Sequence, residues 1–129
     1  MFNNRLIFQQ LFEKISSTYT YIIADAETHE GIIIDPVFDT VERDYALLQE
    51  LGITLRYIFD THIHADHVTG SGSLSHYTGA LIAMSADAGA DIDVPLHDGQ
   101  ILQCGEFQIK ALATPGHTND SMCYYIDDK

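Results

Sequence analysis

The sequence predicts a mixed fold of the α/β (α+β) class in one globular unit. Strand-like runs of aromatic and β-branched residues alternate with segments of helical spacing along the chain. The 129 residues are 46% hydrophobic, which is enough apolar material for one core. We therefore expect a single domain that is built from both kinds of element.

The first part of the chain reads as a β-hairpin. An apolar run covers 6–12, and high aromatic and β-branched content predicts a strand over 19–24. A polar, turn-like stretch then leads to a return strand over 31–34. Pro36 ends this strand, because proline cannot continue a hydrogen-bonded ladder.

The later segments continue the alternation. Apolar residues recur at helical spacing over 40–51, and Gly52 stands where a C-terminal cap belongs. A buried strand over 55–59 follows. The remaining predicted elements are a helix at 72–78, a strand at 81–84, a short helix or turn at 85–90, two hairpin strands at 100–102 and 107–112, and a strand at 124–126.

Charge and composition exclude several classes of function. Six Lys+Arg against 19 Asp+Glu give a formal net charge of -13, which argues against a nucleic-acid partner. No apolar run is long enough to span a membrane, and no signal peptide is recognisable, so we expect no membrane partner. Two cysteines are too few for a disulfide framework. These features predict a cytoplasmic protein with reduced thiols.

A dense group of metal-donor residues follows the predicted strand at 55–59. The chain there reads Thr-His-Ile-His-Ala-Asp-His, which supplies His62, His64, Asp66 and His67. Neutral imidazole is the commonest metal ligand among side chains, and loops at strand ends often carry functional groups. The spacing therefore predicts a metal site at this end of the strand.

A second motif supplies another histidine. Pro115 and Gly116 predict a tight turn that places His117 in a loop after the strand at 107–112. A histidine from a separate loop could complete a site that His62 begins. The alternative is a surface turn histidine with no ligand role.

Together these two motifs resemble the metallo-β-lactamase superfamily, and within it the persulfide dioxygenase (sulfur dioxygenase) family. The stretch at 68–72, Val-Thr-Gly-Ser-Gly, is similar to the dioxygenases and separates this branch from thioesterases of the glyoxalase II type. The stretch at 118–121 departs mildly from the family pattern. The resemblance runs almost from end to end. It implies an αββα sandwich with the metal at one edge, between two sheets.

The resemblance also implies a ligand set and a reaction. In similar dioxygenases two histidines, here His62 and His117, and one aspartate hold one Fe(II) ion. The matching aspartate would lie beyond residue 129. Two histidines and one carboxylate with open positions are typical of non-haem Fe(II) oxygenases. The implied substrates are glutathione persulfide and O2, and the implied products are sulfite and glutathione.

The resemblance leaves the other donors of the first motif with two possible roles. In dioxygenase-like relatives His64, Asp66 and His67 hydrogen-bond the ligands and ordered water. In two-metal relatives His64 joins the first metal, while Asp66 and His67 hold a second. We favour the hydrogen-bonding role. In a hydrolytic reaction with Zn, Asp66 could also serve as the catalytic general base.

Several residues have simpler interpretations. Asp35 either braces the histidine loop or only initiates a turn before proline. His29 and His97 fall in loops and are expected to be exposed bystanders. We do not expect His76, in the second helix, to be a ligand. Neither cysteine has a neighbouring base or cation that would activate its thiol.

The resemblance implies that residues 1–129 form the N-terminal half of a single metallo-β-lactamase-like domain. Such a chain would be truncated, or completed by another chain as a homo-oligomer or a swapped dimer. Alone, it is expected to bind metal weakly and to turn over little or no substrate. Two alternatives to the dioxygenase remain open. One is a Zn-dependent thioester hydrolase of the glyoxalase II type, and the other is a non-catalytic interaction fragment.

Overall fold

Two β-sheets pack face to face, and two helices cover the outer face of the larger sheet. The computed structural model describes residues 5–15, 17–61, 70–86, 92–114 and 121–127. The strands are β1 (Leu6–Glu13), β2 (Thr18–Asp25), β3 (Glu30–Ile34), β4 (Thr54–Phe59), β5 (Leu81–Ser85), β6 (Val94–Leu96), β7 (Ile101–Cys104), β8 (Phe107–Ala113) and β9 (Met122–Asp127); the helices are α1 (Val41–Glu50) and α2 (Ser71–Thr78), and a 3-10 turn covers Phe38–Thr40.

The first sheet contains six strands in sequence order, from β1 to β6. β1, β2 and β3 form antiparallel pairs, whereas β3 through β6 run parallel. Parallel neighbours need a crossover connection, and α1 and α2 provide it on either side of β4. As a result the carboxyl ends of β3 and β4 lie side by side, with Ile34 paired to Phe59. In open parallel sheets such an edge is where ligand sites form.

Each face of the first sheet has its own apolar core. The helix-side core joins side chains of β2, β3 and β4 to those of both helices, and includes Ile22, Ile33, Val41, Leu48, Leu55, Ile58 and Leu74. The core between the sheets includes Ile23, Ile32, Ile34, Phe59, Phe107, Ile109, Ala111 and Met122. Consecutive isoleucines of β2 and β3 therefore point to opposite faces and are buried on both.

The second sheet is the antiparallel set β7, β8 and β9. Its middle strand alternates strictly, because Phe107, Ile109 and Ala111 are buried while Gln108 and Lys110 are exposed. That alternation is expected of a sheet with one face on a core and one in solvent. β9 begins beside the carboxyl end of β4, where the Met122 N–H donates to the Thr61 carbonyl oxygen.

Two carboxylates connect the sheets at the opposite end of the sandwich. Asp25 accepts hydrogen bonds from the backbone N–H groups of Glu27 at 2.8 Å, Thr28 at 3.1 Å and Glu106 at 2.7 Å. Glu30 accepts one from the Gly105 N–H at 3.2 Å. Burial by itself raises the pKa of Asp25. The three N–H donors, together with the positive charge of Arg5, outweigh burial and hold that pKa below its ordinary value.

The predicted strands and helices are confirmed, with ends that differ by a few residues at most. Two elements were not predicted, the 3-10 turn Phe38–Thr40 and the short edge strand β6. β6 contains Pro95, which a parallel sheet tolerates at its edge. Of the predicted segment 85–90, residues 87–90 lie outside the described residues.

The two cysteines differ in burial. Both cysteines are free, with Cys104 buried between the sheets and Cys123 exposed. Burial, helped by the charge of Glu30, raises the pKa of Cys104 to about 12, so this thiol is unreactive at neutral pH. In the parts of the chain that the structure describes, neither helix has the length and apolar character needed to span a membrane.

Candidate metal site at the carboxyl ends of β3 and β4

The predicted metal donors lie in two segments that the structure does not describe. His62, His64, Asp66 and His67 fall in 62–69, and His117 falls in 115–120. Within the described ranges, no three His, Cys, Asp or Glu side chains form a group that could hold a metal ion. The described residues that flank the two segments fix where each segment begins and ends.

The first segment, 62–69, is closed at its base by a buried side-chain hydrogen bond. The Ser71 hydroxyl donates to Oδ2 of Asp60 at 2.7 Å, and both residues are buried. This bond joins the end of β4 to the first turn of α2. The two ends of the donor-bearing segment are therefore held together.

Gly70 adds a second anchor to the same base. Its N–H donates to the carbonyl oxygen of Pro36 at 2.8 Å. A Cβ atom at this position would lie 2.4 Å from Cγ2 of Val41 and 3.0 Å from the carbonyl oxygen of Val37. The close approach of the backbone therefore requires glycine here.

Asp35 braces the residue that precedes the first histidine. Its Oδ1 accepts the N–H of Thr61 and its Oδ2 accepts the Thr61 hydroxyl, each at 2.8 Å. Its backbone adopts φ of 57°, in the left-handed region, and its own N–H donates to Phe59 O at 2.7 Å. The buried Thr20 hydroxyl donates to the Asp35 carbonyl oxygen at 2.8 Å. Of the two interpretations of Asp35, the structure supports the brace.

The second segment, 115–120, is closed in a similar way. The N–H of Thr114 donates to the carbonyl oxygen of Ser121 at 3.0 Å. Immediately beyond this bond Ala113 pairs with Met122, so β8 and β9 run together up to the base of the segment. The two described residues that flank the segment of His117 therefore lie at the end of a regular hairpin.

The bases of the two segments are hydrogen-bonded to each other. The N–H of Met122 donates to the carbonyl oxygen of Thr61 at 2.7 Å, and the hydroxyl of Tyr124 donates to the carbonyl oxygen of Asp60 at 2.7 Å. The Tyr124 ring also packs on Phe59, with centroids 4.7 Å apart. Residue 61, directly before His62, thus contacts the strand that leaves the segment of His117.

The Tyr124 hydroxyl is a permanent donor in this arrangement. Burial raises the pKa of Tyr124 far above its ordinary value, and the nearby negative charges of Asp35 and Asp60 raise it further. The phenol therefore keeps its proton throughout the neutral range. Its bond to the buried end of β4 does not change with pH in that range.

The donor types in the two segments suit a divalent transition metal. Imidazole binds Fe(II) and Zn well, and a carboxylate completes the ligand sets that both ions use in proteins. The described residues that flank both segments lie at one edge, where the end of β4 meets the start of β9. The chemistry of the donors and the position of their anchors are therefore compatible with one shared ion.

The three histidines of the described ranges lie elsewhere. His97 and His76 are exposed, and the His76 ring neighbours Tyr77 with centroids 5.8 Å apart. His29 was expected to be exposed, and that expectation is wrong. It is half-buried because it sits in the β2–β3 turn with Nδ1 3.2 Å from the Leu51 carbonyl oxygen.

Sequence reasoning missed the residues that connect the two segments. Asp60, Ser71 and Tyr124 were assigned no role from the sequence. A signal was available for Asp60, because a carboxylate that directly ends a buried strand needs a hydrogen-bond partner. No such local signal marks Tyr124, whose partner is 64 residues away.

Comparisons with known proteins agree with the fold and with the resemblance seen in the sequence. A family profile described as Metallo-beta-lactamase superfamily matches residues 15–90. Persulfide dioxygenase ETHE1, mitochondrial, of Homo sapiens is 40% identical over 95% of this chain and 49% of its own length. The probable polyketide biosynthesis zinc-dependent hydrolase BaeB of Bacillus velezensis is 35% identical over 91% of this chain and 54% of its own.

A solved structure extends the comparison to three dimensions. The crystal structure of ETHE1 from Myxococcus xanthus superposes with a TM-score of 0.90 at 44% identity, over 93% of this chain and 53% of that one. The chain thus spans about half the length of the curated relatives it matches. The expected metallo-β-lactamase-type sandwich and the similarity to persulfide dioxygenases are both confirmed. This chain belongs to the metallo-beta-lactamase superfamily.

Proposed function

We propose that this chain carries half of the active site of a non-haem Fe(II) persulfide dioxygenase. The reaction oxidises the outer sulfur of glutathione persulfide with O2 and water, and it releases glutathione and sulfite. The similarity to the human and Myxococcus xanthus proteins supports this substrate class. We further propose that residues 1–129 are the N-terminal part of a single metallo-β-lactamase-like domain.

One structural observation carries the proposal. The hydrogen bond from Met122 N–H to Thr61 O, at 2.7 Å, joins the base of the segment with His62 to the base of the segment with His117. Two imidazoles that start from adjoining anchors are suited to a shared ion. Asp35 supports the same end by holding both the N–H and the hydroxyl of Thr61.

The proposed ligands of the iron are His62, His117 and a carboxylate supplied from outside these 129 residues. When bound, Fe(II) in such a ligand set supplies the redox chemistry with O2 and the open positions that this chemistry needs. His64, Asp66 and His67 are proposed to orient the ligands and ordered water by hydrogen bonding. The sandwich keeps this edge fixed through the anchors at residues 60 and 61.

A second candidate function is a Zn-dependent hydrolase. The 35% identity to a protein named a zinc-dependent hydrolase favours it, since the same donor types bind Zn. In that reaction His64 would join the first metal, Asp66 and His67 would hold a second, and Asp66 could instead act as general base. The two functions differ in metal content and in substrate.

The deciding experiment joins this chain to the C-terminal half of the Myxococcus xanthus protein, which supplies the missing length. We expect the folded fusion to consume O2 in the presence of Fe(II) and glutathione persulfide, and the 129 residues alone to consume little or none. Loss of uptake after His62→Ala would assign the activity to this chain. Cleavage of S-lactoylglutathione without O2 uptake, and two Zn ions per fusion, would instead establish the hydrolase. Neither activity in a folded fusion would favour a non-catalytic fragment.

Assembly and location complete the proposal. We propose a homo-oligomer or swapped dimer as the working form, which light scattering after size-exclusion chromatography would detect. Two free thiols and the absence of a membrane-spanning helix among the described residues suit a reducing, aqueous compartment. We propose the cytoplasm, although the names of the mammalian relatives carry the word mitochondrial.

A further inference from the structure

Tyr124 is a partly buried tyrosine beside the proposed metal site, and the proposed reaction assigns it no role. It lies near the start of β9, and its hydroxyl donates to the Asp60 carbonyl oxygen at 2.7 Å. Its ring packs on Phe59 at a centroid distance of 4.7 Å with an interplanar angle of 50°. One side chain therefore spans the two sheets at the end where both donor-bearing segments begin.

Two hydrogen bonds from β9 reach successive carbonyl groups beyond β4. Met122 donates to residue 61 and Tyr124 donates to residue 60, each at 2.7 Å. Residues 122 and 124 share a face of the strand because side chains alternate. β9 is also paired with β8 along its length, so the two bonds fix the β8–β9 hairpin as a whole relative to the end of β4.

The acceptor of the Tyr124 bond is itself rigidly held. Asp60 is 2% exposed, its N–H faces the Ala83 carbonyl oxygen at 3.3 Å, and its carboxylate accepts the Ser71 hydroxyl. These contacts fix Asp60 to β5 and to α2. Because Asp60 is held in place, loss of the Tyr124 hydrogen bond would allow β9 to shift relative to Asp60. The base of the segment 115–120, which ends where β9 begins, would shift with it.

We propose that Tyr124 is a positioning residue for the proposed metal site, because it ties β9 to the Asp60 carbonyl group and so fixes the bases of the two donor-bearing segments relative to each other. This inference rests on the proposed metal site. Tyr124 touches neither metal nor substrate, and it acts through the backbone of residues 60 and 61. Partners one step removed from a metal typically change metal affinity by about 10- to 100-fold when they are lost.

The test compares Tyr124→Phe with Tyr125→Phe in the fusion of this chain to the C-terminal half of the Myxococcus xanthus protein, which supplies the third proposed donor. Each variant loses one hydroxyl from β9. Tyr124 faces β4, whereas Tyr125 is 60% exposed on the outer side. Co(II) is the probe, with affinity measured by competition against a chromophoric chelator and geometry read from the visible absorption spectrum. Tyr124→Phe is expected to weaken Co(II) binding about tenfold and to change the spectrum, while Tyr125→Phe should leave both unchanged.

The possible outcomes distinguish failure of the Tyr124 positioning role from failure of the proposed metal site. If the wild-type fusion binds no Co(II), the metal site fails, and the positioning role fails with it. If the wild type binds Co(II) and Tyr124→Phe has the same affinity and spectrum, the positioning role is refuted while the metal site stands. A purely structural role would lower the unfolding temperature of Tyr124→Phe without altering either metal readout.

A second measurement needs no variant. Coupling between two sites is reciprocal, so a metal that uses this geometry must in turn stabilise it. Adding Co(II) to the wild-type fusion should slow hydrogen exchange of the Met122 amide, which bonds to Thr61. An unchanged exchange rate at saturating Co(II) would overturn the proposal.

Discussion

Both carboxylate oxygens of Asp35 accept hydrogen bonds from Thr61, one from the backbone and one from the side chain, at 2.8 Å each. This pairing holds the residue immediately before His62 against the end of β3. Asp35 pays for it with a left-handed backbone, φ 57°, which aspartate and asparagine tolerate better than most residues. The brace is therefore a property of the carboxylate and can be removed without changing the backbone.

Replacement of Asp35 by asparagine tests the brace. Asp35→Asn tolerates the left-handed φ, but an uncharged amide replaces the carboxylate and the Thr61 hydroxyl must accept a hydrogen bond where it now donates one, so both bonds to Thr61 lose their charged partner. We expect the free energy of unfolding to fall by about 2 kcal/mol, because a hydrogen bond to a charged group contributes about that much. Urea denaturation measures the change. Asp39→Asn, at an exposed position, is the matched control and should be neutral.

Substitution of two neighbouring glycines tests the close approach at Gly70. Gly70→Ala places a methyl group 2.4 Å from Val41 Cγ2, and overpacking of this kind costs about 1–3 kcal/mol. Gly72→Ala, in α2, meets nothing within 4 Å and should stabilise the helix by up to about 1 kcal/mol. Opposite shifts of the urea midpoint are expected. Equal shifts would contradict the packing described at Gly70.

Alanine substitution of three histidines tests the ligand assignment. His62→Ala or His117→Ala should abolish metal binding, because each removes one of the proposed donors. His97→Ala should leave binding intact, since the His97 side chain is exposed and its backbone N–H donates to the Gln100 side chain. Elemental analysis of the purified variants gives the answer. Equal loss in all three would contradict the assignment of His97 as a bystander.

The pH dependence of stability tests Asp25. Its folded-state pKa is lower than its ordinary value of 3.8, so the ionised carboxylate contributes stability above that pH. The contribution is lost as the pH falls below 3.8 and through the folded-state pKa. Asp25→Asn should therefore be less stable than wild type at neutral pH, and the gap should narrow in acid. Urea midpoints across this range measure the gap, and the exposed Glu27→Gln should follow the wild type.

Local periodicity made most of the fold predictable. Short local patterns predicted these elements: the isoleucine runs predicted β2 and β3, and the apolar stripe predicted α1. The structure confirms all three. β6 was missed because it has three residues and a central proline, Pro95, which local rules read as a break. Its pairing with β5 depends on tertiary position and has no local pattern.

The sequence predicted the metal-donor residues of the candidate site, but it did not predict which residues hold the two donor-bearing segments in place. The histidines stand in short motifs with ligand spacing, so their chemistry is readable from the residues. Asp35 was open between two roles until Thr61, 26 residues away, was seen to face it. Tyr124 bonds to Asp60, which is 64 residues away in the sequence. A single sequence contains no local pattern that shows which distant strand a tyrosine will contact.

The long separation between Asp60 and Tyr124 also fixes an order of assembly. A ribosome releases the whole first sheet before it makes the strand that pins residues 60 and 61. Closing so long a loop carries an entropic penalty that only the docked hairpin of β8 and β9 offsets. During synthesis, residues 60 and 61 therefore acquire their bonds to β9 only after the whole first sheet has been made.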